Sequence, residues 1–320
     1  MTRLVALLIL VITAGAAVAQ AYPVKPVRLI AWGTGSFPDL VCRSLIDPLA
    51  AKWGQPVIVE NRPGAGGILA AEAGRQAGPD GHTLVWGDPV GWQMYIQYEA
   101  EDKSNNPTAA LVPVTQLVDV PLMLFAGAKL PFRTMAELRS YGSTQKQPLF
   151  YGTPGKYSVH HLALELLSGR INVPMQHVPY KTMTQIVPAI AAGDIALSFS
   201  GLPSIAGLLK EGRIIGLAWS AARRSPAFAD VPTFAEAGLP DMTFAIKAGL
   251  YTHRDTPGPI VQRISRDVAE ALKHPNVSGL IAKAGALAVG STPEEFAQGM
   301  QRDLDFFGSA ARSIAARDAK

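Results

Sequence analysis

The residues of this chain best suited to chemistry sit in two glycine-bearing loops, each between an apolar run and a helical pattern. The first, Gly33-Thr34-Gly35-Ser36-Phe37-Pro38, follows the buried-strand pattern Val27 to Trp32 and opens into a helix pattern for which Asp39 is the natural cap. The second carries Gly152 and Gly155, follows the short run Pro148 to Tyr151, and leads through Thr153, Lys156 and Tyr157 into a helix pattern ending near Gly169. Glycine lets a backbone approach a ligand closely. The first helical turn leaves N–H groups without intrahelical partners and carries partial positive charge, so such a loop can cradle an anion. Ser158 is the predicted N-cap, which puts His161 at the third helical position. Neither loop supplies the Lys-Ser/Thr pair of a phosphate loop, so the expected guest is a small carboxylate rather than a nucleotide. Read alone, the second loop is equally well a capped polar turn.

Other chemistries fit less well. His160 and His161 are neighbours that point in different directions on a helix, and no further ligand cluster accompanies them, so no metal is expected. Ser158 near His161 resembles a nucleophile and base, but no G-x-S-x-G elbow exists and the serine sits at a cap; no catalytic residue and no enzyme activity are expected. The glycines of Asn61 to Gly67 miss the G-x-G-x-x-G spacing, and no cofactor is expected. Three side chains carry two readings each. Lys156 either pairs with a second ligand carboxylate or is a solvated loop lysine, while Phe37 and Tyr157 either sandwich a flat ligand or pack on the protein as lids. For Trp32 and Trp86, at strand ends near the cleft edge, core packing is the favoured reading.

The elements that position these loops alternate. With 320 residues the chain can bury a large core and divide into two lobes. Strand patterns at 27–32, 57–60, 83–86, 112–118 and 122–126 are followed by strands near 148–151, 176–178, 195–199 and 214–219, with helical patterns between most of them. This α/β order puts the loops at the C-terminal edges of strands, where ligands bind. The helix pattern 39–53 contains Pro48 and is expected to kink there. Residues 243–252 read as an extended crossing between lobes, helices follow at 258–273 and 276–284, and Thr292-Pro293-Glu294-Glu295 is a capping box opening the last helix.

Residues 1–21 combine Arg3, the apolar run Leu4 to Ile12 and small residues to Ala21, a cleavable secretory signal with cleavage expected after Ala21 or Ala19. The mature protein is expected in the periplasm. Removing Arg3 lowers the formal charge from +4 to +3, and the scattered basic residues give no case for nucleic acid. Cys42, the sole cysteine, excludes an internal disulfide and is expected to be a buried small hydrophobe.

Taken together, Tyr22-Pro23, Pro26-Val27-Arg28-Leu29-Ile30, Gly54-Gln55-Pro56-Val57, Val59 through Gly67, Pro79-Asp80-Gly81, the second glycine loop with His161-Leu162, His177-Val178-Pro179-Tyr180-Lys181, Asp230-Val231-Pro232-Thr233, Glu236 through Pro240 and Thr292 through Phe296 resemble one family in order and spacing. It is the extracytoplasmic receptor family of the tripartite tricarboxylate transporters, the Bug-type periplasmic solute-binding proteins. The resemblance implies a two-lobed periplasmic binding protein of the type II-like kind, each lobe a mostly parallel sheet flanked by helices, joined by two crossing strands. Lobe 1 would hold 22–122 plus 248–320 and lobe 2 residues 123–247. It implies a carboxylate gripped between Thr34 to Asp39 and Thr153 to Ser158. The implied ligand residues are Thr34, Gly35, Ser36, Phe37, Asp39, Asp88, Thr153, Gly155, Lys156, Tyr157, Ser158, His161 and Ser200.

The chain departs from the family pattern at the site itself. Ala31-Trp32-Gly33-Thr34-Gly35-Ser36 replaces Pro-Phe-x-Pro-Gly-Gly, and Lys156-Tyr157 stands where Asn-Gly is usual. Lys181-Thr182 replaces Lys-Gly, and Ser200-Gly201 replaces an acid-amide pair. A missing acid removes a partner for a ligand ammonium, so an aromatic or dicarboxylic acid is expected ahead of an amino acid. The implied partners are membrane transporter subunits and the implied receptor is a monomer; a membrane sensor kinase is the alternative partner, and a secreted hydrolase the remote alternative.

Overall fold

The computed structural model describes residues 22–100 and 102–318, so the expected signal segment 1–21 lies outside the described residues. Two sheets organise the chain. The first has six strands, in the order β11-β4-β10-β3-β1-β2, formed by β1 (Val27–Ala31), β2 (Val57–Asn61), β3 (Thr83–Gly87), β4 (Leu111–Pro121), β10 (Ala245–His253) and β11 (Leu287–Ala288). The second has five, ordered β7-β6-β8-β5-β9, from β5 (Met123–Gly127), β6 (Leu149–Pro154), β7 (Met175–Tyr180), β8 (Leu197–Ser200) and β9 (Ile214–Trp219).

Both sheets are mixed. β1 pairs in parallel with β2 and β3, and β6 with β7 and β8, while β10 runs antiparallel to β3 and β4, and β5 antiparallel to β8 and β9. The parallel pairs are the strand–helix–strand units that the alternation foretold. The antiparallel members are the strands that carry the chain between sheets, which is why the sheets are less uniformly parallel than expected. β4 and β10 pair along their whole length, from Leu111 opposite His253 to Pro121 opposite Ala245, and the chain enters the second sheet one residue after β4 ends.

The predicted helix 39–53 forms as two, α1 (Phe37–Ser44) and α2 (Ile46–Trp53), meeting at Leu45. Pro48 lacks an N–H, and its ring excludes the carbonyl four residues earlier, that of Ser44, so the helix breaks there rather than at the proline. After α3 (Ile68–Gln76), α4 (Pro89–Met94) continues into a wider turn from Tyr95 to Glu99. The second sheet is flanked by α5 (Met135–Thr144), α6 (Val159–Ile171), α7 (Met183–Ala192) and α8 (Leu202–Lys210). α9 (Gly258–Ala271) and α10 (Pro275–Lys283) return to the first sheet. The last helix, α11 (Pro293–Asp318), opens on the predicted capping box: Glu295 N–H donates to Thr292 Oγ1 at 3.1 Å and Thr292 N–H to Glu295 Oε2 at 2.9 Å. Phe296 near its start packs with Tyr251 of the first sheet, whereas Phe307, Ala310, Ala311 and Ile314 pack in one core with Leu162 and Phe199 of the second. One helix thus ties both sheets. Cys42 is fully buried, and burial pushes its thiol up to about 12. No described helix is long and apolar enough to cross a membrane.

Candidate functional site

The two glycine loops open onto one cavity of about 550 Å³. The elements of the first sheet contribute Trp32, Phe37, Pro38, Gly66, Trp86 and Asp88, and those of the second contribute residues 154–160. Val120 of β4 with Ile246 and Ala248 of β10 form wall between them, so the two crossing strands line the cavity they join.

The second loop is held by its own side chains. Ser158 caps α6 as predicted, its Oγ accepting the His161 N–H at 3.3 Å while donating to the Gly155 carbonyl at 2.9 Å. His161 Nδ1 accepts the Tyr157 N–H at 3.1 Å, and this bond accompanies a left-handed backbone at Tyr157 (φ 56°). Gly155 is also left-handed (φ 101°), a conformation that a residue with a β-carbon enters only with strain. Behind the loop, Thr153 Oγ1 lies 2.7 Å from His177 Nε2, and the His177 and His161 rings stack at 3.9 Å. Burial pushes His161 down to about 3 and His177 down to about 4, so both rings are neutral at physiological pH. His161 therefore fixes the loop. Its ring bonds the backbone and not Ser158, so the two do not form a nucleophile–base pair. What this geometry leaves for a ligand are the N–H groups of Val159 and His160, which begin α6 and have no intrahelical carbonyl to meet.

The first loop differs from expectation at its helix start. Ser36, not Asp39, occupies the N-cap of α1. Asp39 lies in the first turn and reaches back, its Oδ2 accepting the Gly35 N–H at 2.8 Å and its Oδ1 accepting from Asn61 Nδ2 at 2.8 Å, with Arg43 Nε 2.9 Å from Oδ1. Burial opposes ionisation of Asp39, but Arg43, Gly35 and Asn61 outweigh it and hold the carboxyl below its usual range. Asp39 is therefore a brace for the loop. Ser36 Oγ and Trp32 Nε1 are both buried without a hydrogen-bond partner from the protein.

Of the residues marked in the sequence, Phe37, Asp88, Gly155, Lys156, Tyr157 and Ser158 line the cavity. Thr34, Gly35, Ser36, Asp39, Thr153, His161 and Ser200 do not; Asp39, Thr153 and His161 support the loops from behind, and Ser200 is buried with its Oγ on the Gly201 carbonyl at 3.1 Å. Phe37 meets Trp86 edge-on at 6.3 Å, and Tyr157 stacks on Tyr98 at 4.5 Å, so both aromatics pack on the protein while facing the cavity. Trp86 is core and wall at once, and Trp32 is wall rather than core alone. Lys156 is exposed yet already paired within the chain, its Nζ lying 2.7 Å from Asp318 Oδ2.

Asp88 caps α4 through Oδ1, which accepts the Val90 and Gly91 N–H groups at 3.1 and 3.2 Å. Burial raises its pKa to about 6, against those two bonds and with a smaller push from Asp303. Tyr95 and Glu99 also line the cavity and were missed in the sequence. The start signal was present: Asp88 followed by Pro89 is an N-cap with proline at the first helical position, and the helix it announces carries the chain to both residues. Among the described residues no group of His, Cys, Asp and Glu is arranged to hold a metal.

Similarity to known proteins agrees with this architecture. BugT of Bordetella pertussis is 30% identical over 307 residues, covering 92% of each chain. MatC of Rhodopseudomonas palustris, solved with bound malate, superposes with a TM-score of 0.74 at 28% identity over 91% of this chain and 100% of that one. A second R. palustris protein, solved with adipate, gives 0.76 at 27% identity over 92% and 98%. Residues 41–309 match the family described as the tripartite tricarboxylate transporter family receptor, and the chain belongs to that family of periplasmic solute-binding proteins.

Proposed function

We propose that the cavity takes one small organic monocarboxylate with a flat apolar body, and that the protein hands it to a membrane transporter without chemical change. The observation that carries this is the lining: backbone N–H groups at the start of α6 sit beside a wall of Trp32, Phe37, Trp86, Tyr95 and Tyr157. Dipoles at a helix start receive a carboxylate, and aromatic faces receive the body behind it. The malate and adipate bound by the two R. palustris relatives support a carboxylate as the guest class. Asp88 and Glu99 in the same wall oppose a second ligand carboxylate nearby, which supports an aromatic acid ahead of a dicarboxylate here. The same two acids favour a ligand that also carries a hydroxyl or amino donor.

The ligand would be gripped by Phe37 and Trp32 from one side and Gly155, Tyr157 and Ser158 from the other, with Thr34, Gly35, Ser36, Asp39, Thr153 and His161 setting loop shape. In this reading residues 22–122 and 248–320 form one lobe and 123–247 the other, closing on the ligand as a monomer. The chain would reach the periplasm by cleavage of residues 1–21.

Titrating the mature protein with benzoate, 4-hydroxybenzoate, adipate and malate while following tryptophan fluorescence tests the ligand class, because Trp32 and Trp86 line the cavity. Saturable quenching led by the ring acids is expected. Dicarboxylates binding more tightly than every ring acid would overturn the preference. Release of alcohol from an ester of the best ligand would overturn the receptor role.

A further inference from the structure

Lys156 is the one lysine or arginine in the cavity wall among the described residues, yet its charge is already answered from within the chain. Lys156 Nζ lies 2.7 Å from Asp318 Oδ2, in the last described turn of α11, and the Tyr157 hydroxyl donates to the same oxygen at 3.1 Å. Neighbouring contacts fix that turn in place. Arg317 Nη2 meets Glu165 Oε2 at 2.5 Å, and the Tyr151 hydroxyl donates to the other oxygen of Glu165, whose side chain is only 10% exposed. The helix that begins on the first sheet therefore ends with a carboxylate on two successive residues of the ligand loop. Lys156 and Tyr157 hold Asp318 below its usual range, so it is ionised wherever the receptor works.

We propose that Asp318 is a built-in counter-ion that withholds Lys156 from ligands and so sets the selectivity of the cavity for one carboxylate over two. A ligand with a single carboxylate has the start of α6 and leaves the pair intact. A dicarboxylate reaching for Lys156 must displace Asp318 or sit beside its negative charge, and either costs affinity. Asp318 acts through Lys156 and Tyr157, which makes it a positioning residue. The pair is partly exposed, with side-chain exposures of 39% and 43%, so the effect is a bias and not an absolute bar.

This inference rests on the cavity being the carboxylate site, and its test separates the two ideas. Affinities for benzoate and adipate are measured by calorimetry on the wild type, Asp318→Asn, Asp318→Glu, and Lys156→Met combined with Asp318→Asn. Asp318→Asn is expected to shift the adipate-to-benzoate affinity ratio toward adipate by roughly two- to fivefold. Adding Lys156→Met should abolish the shift, and Asp318→Glu should keep the wild-type ratio, outcomes that a merely structural role would not produce. An unchanged ratio in Asp318→Asn, or an equal shift without Lys156, would overturn the proposal. Labelling the ligand-free proteins with an amine-reactive reagent, read at Lys156 by mass spectrometry, decides the matter even if neither acid binds. Faster labelling in Asp318→Asn supports sequestration, and equal rates overturn it.

Discussion

The indole of Trp32 occupies the space that a side chain at Gly67 would need: a β-carbon there would lie 2.4 Å from Trp32 Nε1. Gly67 is also left-handed (φ 93°), so the glycine-rich stretch before α3 seats a cavity wall. Gly67→Ala should displace Trp32, weakening ligand binding about tenfold or more and costing about 1–3 kcal/mol of stability through backbone strain. Calorimetry on Gly67→Ala, Trp32→Phe and the double variant checks it. Additive losses of affinity in the double variant would argue against Trp32 as the link.

Removing the Ser158 hydroxyl takes away the cap of α6 and the bond that closes the loop onto Gly155. Ser158→Ala should cost about 1 kcal/mol of stability and about tenfold in ligand affinity, because the freed loop must be ordered by the ligand. Thermal unfolding and titration of one preparation give both numbers. Full affinity in a destabilised variant would take the loop out of the site.

Stability should fall as pH drops from about 6.5 toward 4. Burial pushes His160 and His177 down to about 4 and His161 to about 3 from an ordinary 6.5, so across that window the unfolded chain takes up protons that the folded chain refuses. Stability present above the unfolded value is therefore lost on acidification. Asp88, raised to about 6, binds its proton more readily when folded and offsets part of the loss. His177→Gln should flatten the slope by one proton, at most about 1.4 kcal/mol per pH unit. Denaturant unfolding at pH 7, 6, 5 and 4.5 reads it, and an unchanged slope in His177→Gln would contradict the assignment.

Cys42 should resist thiol reagents in the native protein, being fully buried with its thiol pushed up to about 12. Labelling by a maleimide at neutral pH should proceed only at the rate at which the structure opens, and addition of a tight ligand should slow it. Rapid native labelling would mean that α1 opens locally.

The fold was legible because β1, β3, β6 and β9 are short apolar runs and the glycine loops fall at strand ends. Ser158 as cap and the box at Thr292 could be placed because capping depends on residue type at fixed spacing. Less was legible where distant segments meet. Asp39 satisfies the rule for a cap, yet the helix starts two residues before it, at Phe37, and its carboxylate is spent on Gly35, Arg43 and Asn61. The pairing of Lys156 with Asp318 spans 162 positions and leaves no local pattern. Tyr95 and Glu99 reach the cavity only because α4 turns the chain back over it, which the short Asp88-Pro89 signal announces without saying how far the helix runs.

Recognition of a carboxylate by this cavity is decided by calorimetric titration of the mature protein with benzoate and with benzamide, which keeps the ring and removes the charge. Benzoate should bind at one site per chain with an affinity at least a hundredfold above that of the amide, and Ser158→Ala should narrow the gap. Equal binding of acid and amide, or no heat from either benzoate or the wider set of acids, would contradict it.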